Sequence, residues 1–188
     1  DYMSFMVSAV LAGLTVKTDV IIATSPQFFT AVAGSVLSIL KRRPWVMEVR
    51  DLWPDSIVGV GAMRPNRVTG LLSRLEKRLY RHARLIIPVT DTFKKRIMEK
   101  GIPGEKIHVI KNGADPGRLK PMEPDPAIIN RLGLQRKTVI SYIGTHGMAH
   151  GLGFIVSCAG ELADDNVVFL FIGDGAKKEE LKNQVATA

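Results

Sequence analysis

Apolar and polar positions follow two distinct patterns along the chain, one typical of strands and one of helices. Short runs rich in β-branched residues, bounded by Gly, Pro or Asp, predict buried strands at 19–24, 44–49, 85–89, 106–110, 138–143 and 166–172. Between them, apolar residues at helical spacing predict helices at about 27–40, 66–84, 91–100, 127–132 and 152–163, and from 177 onwards. Strands that alternate with helices are typical of parallel sheets with helices on both faces, so we predict an α/β fold.

The composition changes near the middle of the chain. A Pro-rich segment from about 114 to 126 predicts a linker, and Asn112-Gly113 predicts a turn just before it. A chain of 188 residues is long enough for one domain or for parts of two. We therefore predict two structural units, residues 1–114 and 115–188.

Charge differs between these two units. The net charge is +8, yet residues 1–114 carry 18 Lys and Arg against 9 Asp and Glu, whereas residues 115–188 carry 8 against 9. A basic first half suggests an anionic partner for that half alone, such as phospholipid, nucleic acid or a phosphorylated substrate. The single cysteine, Cys158, excludes a disulfide framework and fits a reducing, cytoplasmic setting. No apolar run is long enough to span a bilayer.

Candidate binding segments follow three of the predicted strands, at 50–55, 144–151 and 173–175. Open parallel sheets bind ligands beyond the carboxyl ends of their strands. The strand at 138–143 leads through a loop containing Gly144, Gly147 and Gly151 into a helix. The unpaired amides and the partial positive charge of a helix N-terminus suit a phosphate, and glycines allow a bulky anion to approach the backbone. A tight turn without a ligand is the alternative.

Two segments in a fixed order carry a family resemblance. The first is Ile107-His-Val-Ile-Lys-Asn-Gly-Ala-Asp115, followed by Leu119-Lys-Pro121. The second is Tyr142-Ile-Gly-Thr-His-Gly-Met-Ala-His-Gly151, followed by Phe169-Leu-Phe-Ile-Gly-Asp-Gly175. Together they resemble family 4 nucleotide-sugar glycosyltransferases of the GT-B fold. The segment Arg50-Asp-Leu-Trp-Pro-Asp-Ser56 is similar to members that make bacterial surface polysaccharides.

The resemblance implies two incomplete Rossmann-like domains. Residues 1–114 would be the later part of the N-terminal, acceptor-side domain. Residues 115–188 would be the linker and the first part of the C-terminal, nucleotide-sugar-binding domain. Neither the family's first Gly-rich loop nor its acidic E-x7-E helix is found in the sequence. We therefore expect a fragment that is inactive alone, from a parent protein that transfers a sugar.

The resemblance also assigns roles to individual residues. It places the donor diphosphate on one loop, at Gly144, Thr145, His146, Gly147, His150 and Gly151. Gly173 and Gly175 would lie near the nucleotide, Asn112 and Gly113 would form a hinge, and Asp51 is the candidate catalytic residue. The family usually has Arg at position 145 and Lys at position 150, so His146 and His150 are expected to substitute as donors.

Alternatives remain for several of these side chains. His146 and His150 have the spacing of metal ligands on a helix, but no Cys or carboxylate is near them in the sequence, so we predict no metal site. A solvent-exposed pair is the other alternative to phosphate contact. Asp51 and Asp55 are candidate acid/base groups, although Asp55 follows Pro54 and is expected to cap the next turn instead.

The predicted helix at 66–84 starts at Pro65-Asn66, a typical N-cap region, and has two faces. Its apolar stripe consists of Val68, Leu71, Leu72, Leu75 and Leu79, and its cationic stripe of Arg67, Arg74, Arg78 and Arg81. Such a helix usually packs its apolar face on the core and leaves the other in solvent. The alternative is docking on anionic lipid, where each cation contributes on the order of 1 kcal/mol.

The resulting hypothesis is a retaining glycosyltransferase of O-antigen or capsule biosynthesis. It would use a nucleotide-sugar donor, a lipid-linked or saccharide acceptor, and neither cofactor nor metal. It would be cytoplasmic, or peripheral on the inner face of the plasma membrane. Closure across residues 112–121 would exclude water. The alternatives are a nucleotide-sugar epimerase of the same fold and a non-catalytic basic module that binds membrane or nucleic acid. Scattered cations with few aromatic residues argue against nucleic acid.

Overall fold

The structure, a computed structural model, describes residues 2–25, 27–162 and 166–187. It forms two compact units, Asp1–Ala114 and Asp115–Ala188. Unit 1 contains α1 (Tyr2–Thr15), β1 (Ile21–Ser25), α2 (Phe28–Lys41), β2 (Trp45–Val49), α3 (Asp55–Gly59), α4 (Arg67–His82), β3 (Leu85–Pro88) and α5 (Asp91–Glu99). Unit 2 contains α6 (Pro126–Leu132), β4 (Thr138–Ile143), α7 (Leu152–Glu161), β5 (Val167–Ile172) and α8 (Lys178–Thr187). The predicted helix end at residue 163 lies outside the described residues.

Unit 1 is built on a parallel sheet of three strands in the order β1-β2-β3. The buried strand residues share one face, because Ala23 pairs with Met47 and Met47 with Ile86 in register. Side chains of α2, α4 and α5 complete this core, namely Phe28, Ala31, Leu79, Tyr80 and Ile97. The opposite face is more open, and Ile22 there is 68% exposed. The helices that contribute to this core, α2, α4 and α5, pack on the buried face of the sheet.

Two elements of unit 1 differ from the sequence-based expectation. No helix was predicted before residue 19, yet α1 packs on α2, and the Lys41 ammonium caps it by donating to the carbonyls of Gly13, Leu14 and Val16. The predicted strand at 106–110 makes only an isolated bridge, between Ile86 and Ile107. Its segment still runs beside β3, because the His108 amide donates to the Ile86 carbonyl at 3.0 Å. Within the described residues, no helix has the length and apolarity to cross a membrane.

Helix α4 begins at a side-chain cap. Asn66 caps it as predicted, with its side chain accepting from the amides of Val68 and Thr69. The predicted apolar stripe is divided, however. Leu72, Leu75 and Leu79 pack toward the core, whereas Val68 and Leu71 are exposed. The buried face is centred near Glu76 instead, so the helix is rotated from the orientation that the leucines alone suggest.

Unit 2 contains the parallel pair β4–β5 with α7 and α8 packed beside it. Its small core consists of Leu152, Val156 and Leu181, with Tyr142 and Phe171 at the margin. The predicted turn at Asn112-Gly113 is absent. A turn forms instead at Asp115, whose carboxylate accepts from the Gly117 amide at 2.9 Å. A short Asp side chain ahead of Pro-Gly offers this local hydrogen bond, and therefore shifts the turn three residues along the chain.

Candidate functional site

The parallel register of unit 2 brings two predicted segments together. Ile143 pairs with Ile172, so β4 and β5 end level and their loops begin side by side. The Gly144 amide donates to the Ile172 carbonyl at 2.9 Å, and the His146 amide donates to the Asp174 carbonyl at 2.8 Å. The Lys177 amide in turn donates to the His146 carbonyl at 2.9 Å. The loop at 144–151 and the turn at 173–175 therefore form one hydrogen-bonded assembly.

Two glycines make this close contact possible. A Cβ at Gly173 would overlap the Gly144 carbonyl oxygen. Gly175 has a φ of 153°, and a Cβ there would lie 2.6 Å from the His146 carbonyl oxygen. The family resemblance places both glycines near the nucleotide, and that role stays a prediction. Their observed contact is with the neighbouring loop, which nothing in the local pattern indicated.

His146 occupies the centre of this assembly. Its side chain is only 5% exposed, and neither ring nitrogen has a hydrogen-bond partner among the described residues. The Tyr142 ring lies 6.2 Å away, centroid to centroid. His150 is exposed whereas His146 is buried, so the two do not form a solvent-exposed pair, and phosphate contact by His150 stays a prediction. A buried imidazole without a partner is costly, and it is a strong candidate for contact with a ligand.

A cavity of about 440 Å³ lies beside His146. Its walls combine apolar side chains with two cations, and they include Val156, Phe171, Gly173, Lys178, Leu181 and Lys182. The Asp174 carboxylate nearby accepts from the Gly175 amide at 2.8 Å. That hydrogen bond, with Lys178 next, holds the pKa of Asp174 below its ordinary value, so the carboxylate is ionised at neutral pH.

Helix α7 begins directly after the Gly-rich loop, as predicted. Its N-cap is Gly151 with a φ of 59°, and no side chain caps this end. The Phe154 amide donates to the Gly151 carbonyl at 3.0 Å, so the amides of Leu152 and Gly153 are the ones left for solvent or a ligand. Thr145 and Gly147 lie in the same loop, in which the Tyr142 hydroxyl donates to the Thr145 carbonyl at 2.9 Å. Among the described residues, no group of three or more His, Cys, Asp or Glu is placed to hold a metal ion.

Unit 1 carries the other candidate, the loop after β2. The Asp51 carboxylate in this loop is half-buried and forms no hydrogen bond or ion pair with the described residues. The neighbouring carboxylate of Glu48 accepts from the Thr24 hydroxyl at 2.6 Å and pairs with Arg50 at 3.6 Å. Asp51 is therefore the unpaired acid at the carboxyl edge of this sheet. Asn112 and Gly113 are exposed at the end of unit 1, and their role as a hinge stays a prediction.

Asp55 has a different role from the one expected. Its side chain makes no cap hydrogen bond to α3, and instead pairs with the Lys100 ammonium at 2.8 Å. Lys100 also binds Glu76, at 2.8 Å and 2.6 Å to the two carboxylate oxygens. Neither Glu76 nor Lys100 was predicted from the sequence. One signal was present, because Glu76 lies between Leu75 and Leu79 on a stripe that is otherwise apolar.

Comparisons with known proteins agree on one family. Residues 4–113 match the family described as "Glycosyl transferase 4-like domain". WcaI of Escherichia coli (strain K12), named for colanic acid biosynthesis glycosyl transfer, is 25% identical over 88% of this chain and 42% of its own length. WbjE of Pseudomonas aeruginosa, named as a glycosyltransferase, is 24% identical over 98% of this chain and 48% of its own. The chain spans about half the length of these curated relatives.

Solved structures agree on the fold. The Anabaena protein Alr3699/HepE, solved in complex with UDP and glucose, superposes with a TM-score of 0.74. It is 19% identical, and the match covers 98% of this chain and 48% of that one. The likeness confirms the predicted α/β, GT-B type of fold with parallel sheets, of which this chain covers about half.

Proposed function

Because the chain belongs to the glycosyl transferase 4-like family, we propose that the whole protein is a retaining glycosyltransferase of cell-surface polysaccharide biosynthesis. It would move a sugar from a nucleotide-sugar donor to a lipid-linked or saccharide acceptor, as in O-antigen or capsule assembly. The names of the curated relatives and the UDP and glucose bound to HepE support this proposal. The observation that carries it is the buried, unpartnered His146 between two hydrogen-bonded loops at the start of α7.

The chain's own groups suit a diphosphate leaving group. The amides at the N-terminus of α7 and the loop glycines Gly144, Gly147 and Gly151 would contact the phosphates. His146 would supply a hydrogen bond from a side chain that is only 5% exposed. Donors fixed in advance stabilise negative charge as it develops on the leaving diphosphate, and their effect is larger where water is excluded. On this basis the reaction would need no metal, and Gly173 and Gly175 would support the nucleotide side of the site.

A titration with nucleoside diphosphates tests the donor site. At a concentration of one hundred times the Kd, a ligand that binds only the folded protein adds about 2.7 kcal/mol of stability, so the thermal midpoint should rise. Replacing His146 with Phe should weaken this binding by roughly 10- to 100-fold, because a hydrogen bond to a charged group contributes about 1.5–3 kcal/mol. The shift should be unchanged by EDTA.

The matched control is His108→Phe, which alters an exposed histidine of unit 1 and should leave the nucleotide affinity unchanged. The His146→Phe protein should remain folded, since an apolar ring replaces an imidazole without hydrogen bonds. No thermal shift with any nucleoside diphosphate would remove the donor site from the proposal. The retaining mechanism is tested by the anomeric configuration of the product, which NMR reports directly.

We also propose that α4 docks the protein on anionic lipid, where a lipid-linked acceptor would be found. Leu71 shares one exposed face with Arg67, Arg74 and Arg78, and the single acid of this helix, Glu76, is buried. The exposed face is therefore cationic with an apolar residue among the charges. Such a face is complementary to the inner surface of a plasma membrane, where its cations meet anionic headgroups and its apolar residue can enter the lipid.

Vesicle binding tests this docking surface. Replacing both Arg74 and Arg78 with Gln should weaken binding to vesicles that contain phosphatidylserine by roughly 30-fold, because each cation contributes about 1 kcal/mol near an anionic surface. Replacing Lys94 and Lys95 on α5 removes the same charge elsewhere, and should change binding much less. Equal sedimentation of the unmutated protein with neutral and anionic vesicles would contradict the proposal.

A further inference from the structure

One ammonium group joins three helices of unit 1. Lys100 lies at the C-terminal end of α5, and its side chain is 17% exposed. Its three protons face the two Glu76 oxygens on α4 at 2.8 Å and 2.6 Å and the Asp55 carboxylate at the start of α3 at 2.8 Å. We call Asp55, Glu76 and Lys100 the charge clamp. Its members are 21 to 45 positions apart in the sequence and meet only in the fold.

The charge clamp is poorly explained as a source of stability alone. Glu76 is 1% exposed, and two charges lose much of their solvation energy when they are buried. Apolar side chains of similar volume often give equal or greater stability than a buried ion pair. A cluster of this kind instead fixes geometry, because each hydrogen bond sets a distance and a direction.

The charge clamp holds one end of the loop that carries Asp51. At the other end, the Arg50 amide donates to the Ser25 carbonyl at 3.1 Å, and the Ser25 hydroxyl donates to the Asp51 carbonyl at 3.4 Å. In the middle, Trp53 stacks on Phe28 with ring centroids 4.7 Å apart. The main chain from Arg50 to Asp55 is therefore fixed at three points. The Asp51 carboxylate is left without a partner among the described residues.

We propose that Lys100 is a positioning residue, which holds the loop through Asp55 and Glu76 so that the Asp51 carboxylate is presented to the transferred sugar or the acceptor. The role of Asp51 in transfer rests on the function proposed above. The position of the loop does not. A misplacement of about 1 Å in a reacting group can cost about 100-fold in rate, so loss of the charge clamp should act on kcat.

An apolar replacement of the clamp separates positioning from stability. Glu76 also accepts from the buried Tyr80 hydroxyl, so the apolar variant is Glu76→Leu/Tyr80→Phe/Lys100→Met of the whole protein. It keeps the site filled, and its thermal midpoint should stay close to that of the unmutated protein. Its kcat should fall by about 100-fold, with little change in KM for the nucleotide sugar. Lys100→Arg keeps a cation in reach of both carboxylates, and should recover most of the lost rate.

A double-mutant cycle shows whether the clamp acts through Asp51. If it does, adding Asp51→Asn to the apolar variant should lower kcat no further than the larger single effect. The proposal would be overturned if the effects of the two changes on kcat multiplied, or if the apolar variant kept the kcat of the unmutated protein.

Hydrogen exchange supplies a readout that needs no catalysis. Amides at 50–58 should exchange faster in the apolar variant while those of α2 do not. Unchanged exchange at 50–58 would overturn the role of the charge clamp, whether or not the unmutated protein transfers a sugar. Absence of sugar transfer by the unmutated protein would instead contradict the proposed function.

Discussion

Replacing Lys100 with Met is expected to lower the free energy of unfolding by about 3–5 kcal/mol, because it leaves the buried Glu76 carboxylate without its counter-charge. Burial by itself would lower the pKa of Lys100, but hydrogen bonds to Asp55 and Glu76 outweigh it and hold that pKa above its ordinary value of 10.5. The ammonium is therefore charged at neutral pH, and its removal leaves two carboxylates facing each other. Urea unfolding followed by fluorescence measures the loss, since both tryptophans, Trp45 and Trp53, lie in unit 1.

The stability that Lys100 contributes should depend on pH in a definite direction. A raised lysine pKa stabilises the fold at neutral pH, and the contribution disappears as the pH rises through the folded-state value, above 10.5. Burial, opposed by Lys100, raises the pKa of Glu76 above 4.5. In the Lys100→Met protein the lysine charge no longer opposes this rise. The loss in free energy of unfolding should therefore become smaller as the pH falls from 7 toward 4.5 and Glu76 takes up a proton.

Lys95→Met is the matched control, since it removes an exposed lysine of the same helix and should change stability by no more than about 0.5 kcal/mol. Glu76→Leu and Tyr80→Phe added to Lys100→Met should recover most of the lost stability, because no buried charge or hydroxyl is then left without a partner. Equal stability of the Lys95→Met and Lys100→Met proteins would contradict the assignment of Glu76 as a buried, ionised partner.

Replacing Gly173 with Ala is expected to separate the two loops of unit 2. The new methyl group would overlap the Gly144 carbonyl oxygen and lie 3.1 Å from Nε2 of His146. Main-chain atoms on both sides are held by hydrogen bonds, so the overlap can be relieved only by moving a loop. We expect a cost of about 3 kcal/mol, at the upper end of the usual range for overpacking. Hydrogen exchange of the β4 and β5 amides should therefore speed up by roughly 100-fold.

The same substitution should also abolish the thermal shift produced by nucleoside diphosphates, because it displaces His146 and the start of the donor loop together. Gly70→Ala is the matched control. Gly70 is exposed inside α4 with no atom within 4 Å of the added methyl group, and the change should stabilise the protein by about 1 kcal/mol. A Gly173→Ala protein with unchanged exchange in β4 and β5 would show that the two loops are not packed as described.

Much of the fold was predictable because its signals are local. Alternating β-branched runs predicted β1 to β5, and Asn66 predicted the start of α4, since a side-chain cap and its helix are neighbours in the chain. The Gly-rich loop and α7 were predicted in the right order for the same reason. Helix α1 escaped prediction, because it is almost wholly apolar and exposes most of its large side chains, including Tyr2, Phe5 and Leu11, so no polar face marks its period.

The pairing of charges and loops depended on contacts between distant segments. Local patterns carried the order of strands, the helix caps and the glycine positions, because each depends on residues a few places apart. The fold alone determined that Lys100 meets Glu76 and Asp55, that Asp51 is left unpaired, and that His146 is buried against Gly173 and Gly175. Those contacts follow from the register of the parallel strands and the rotation of α4, which bring together residues that are far apart in the sequence.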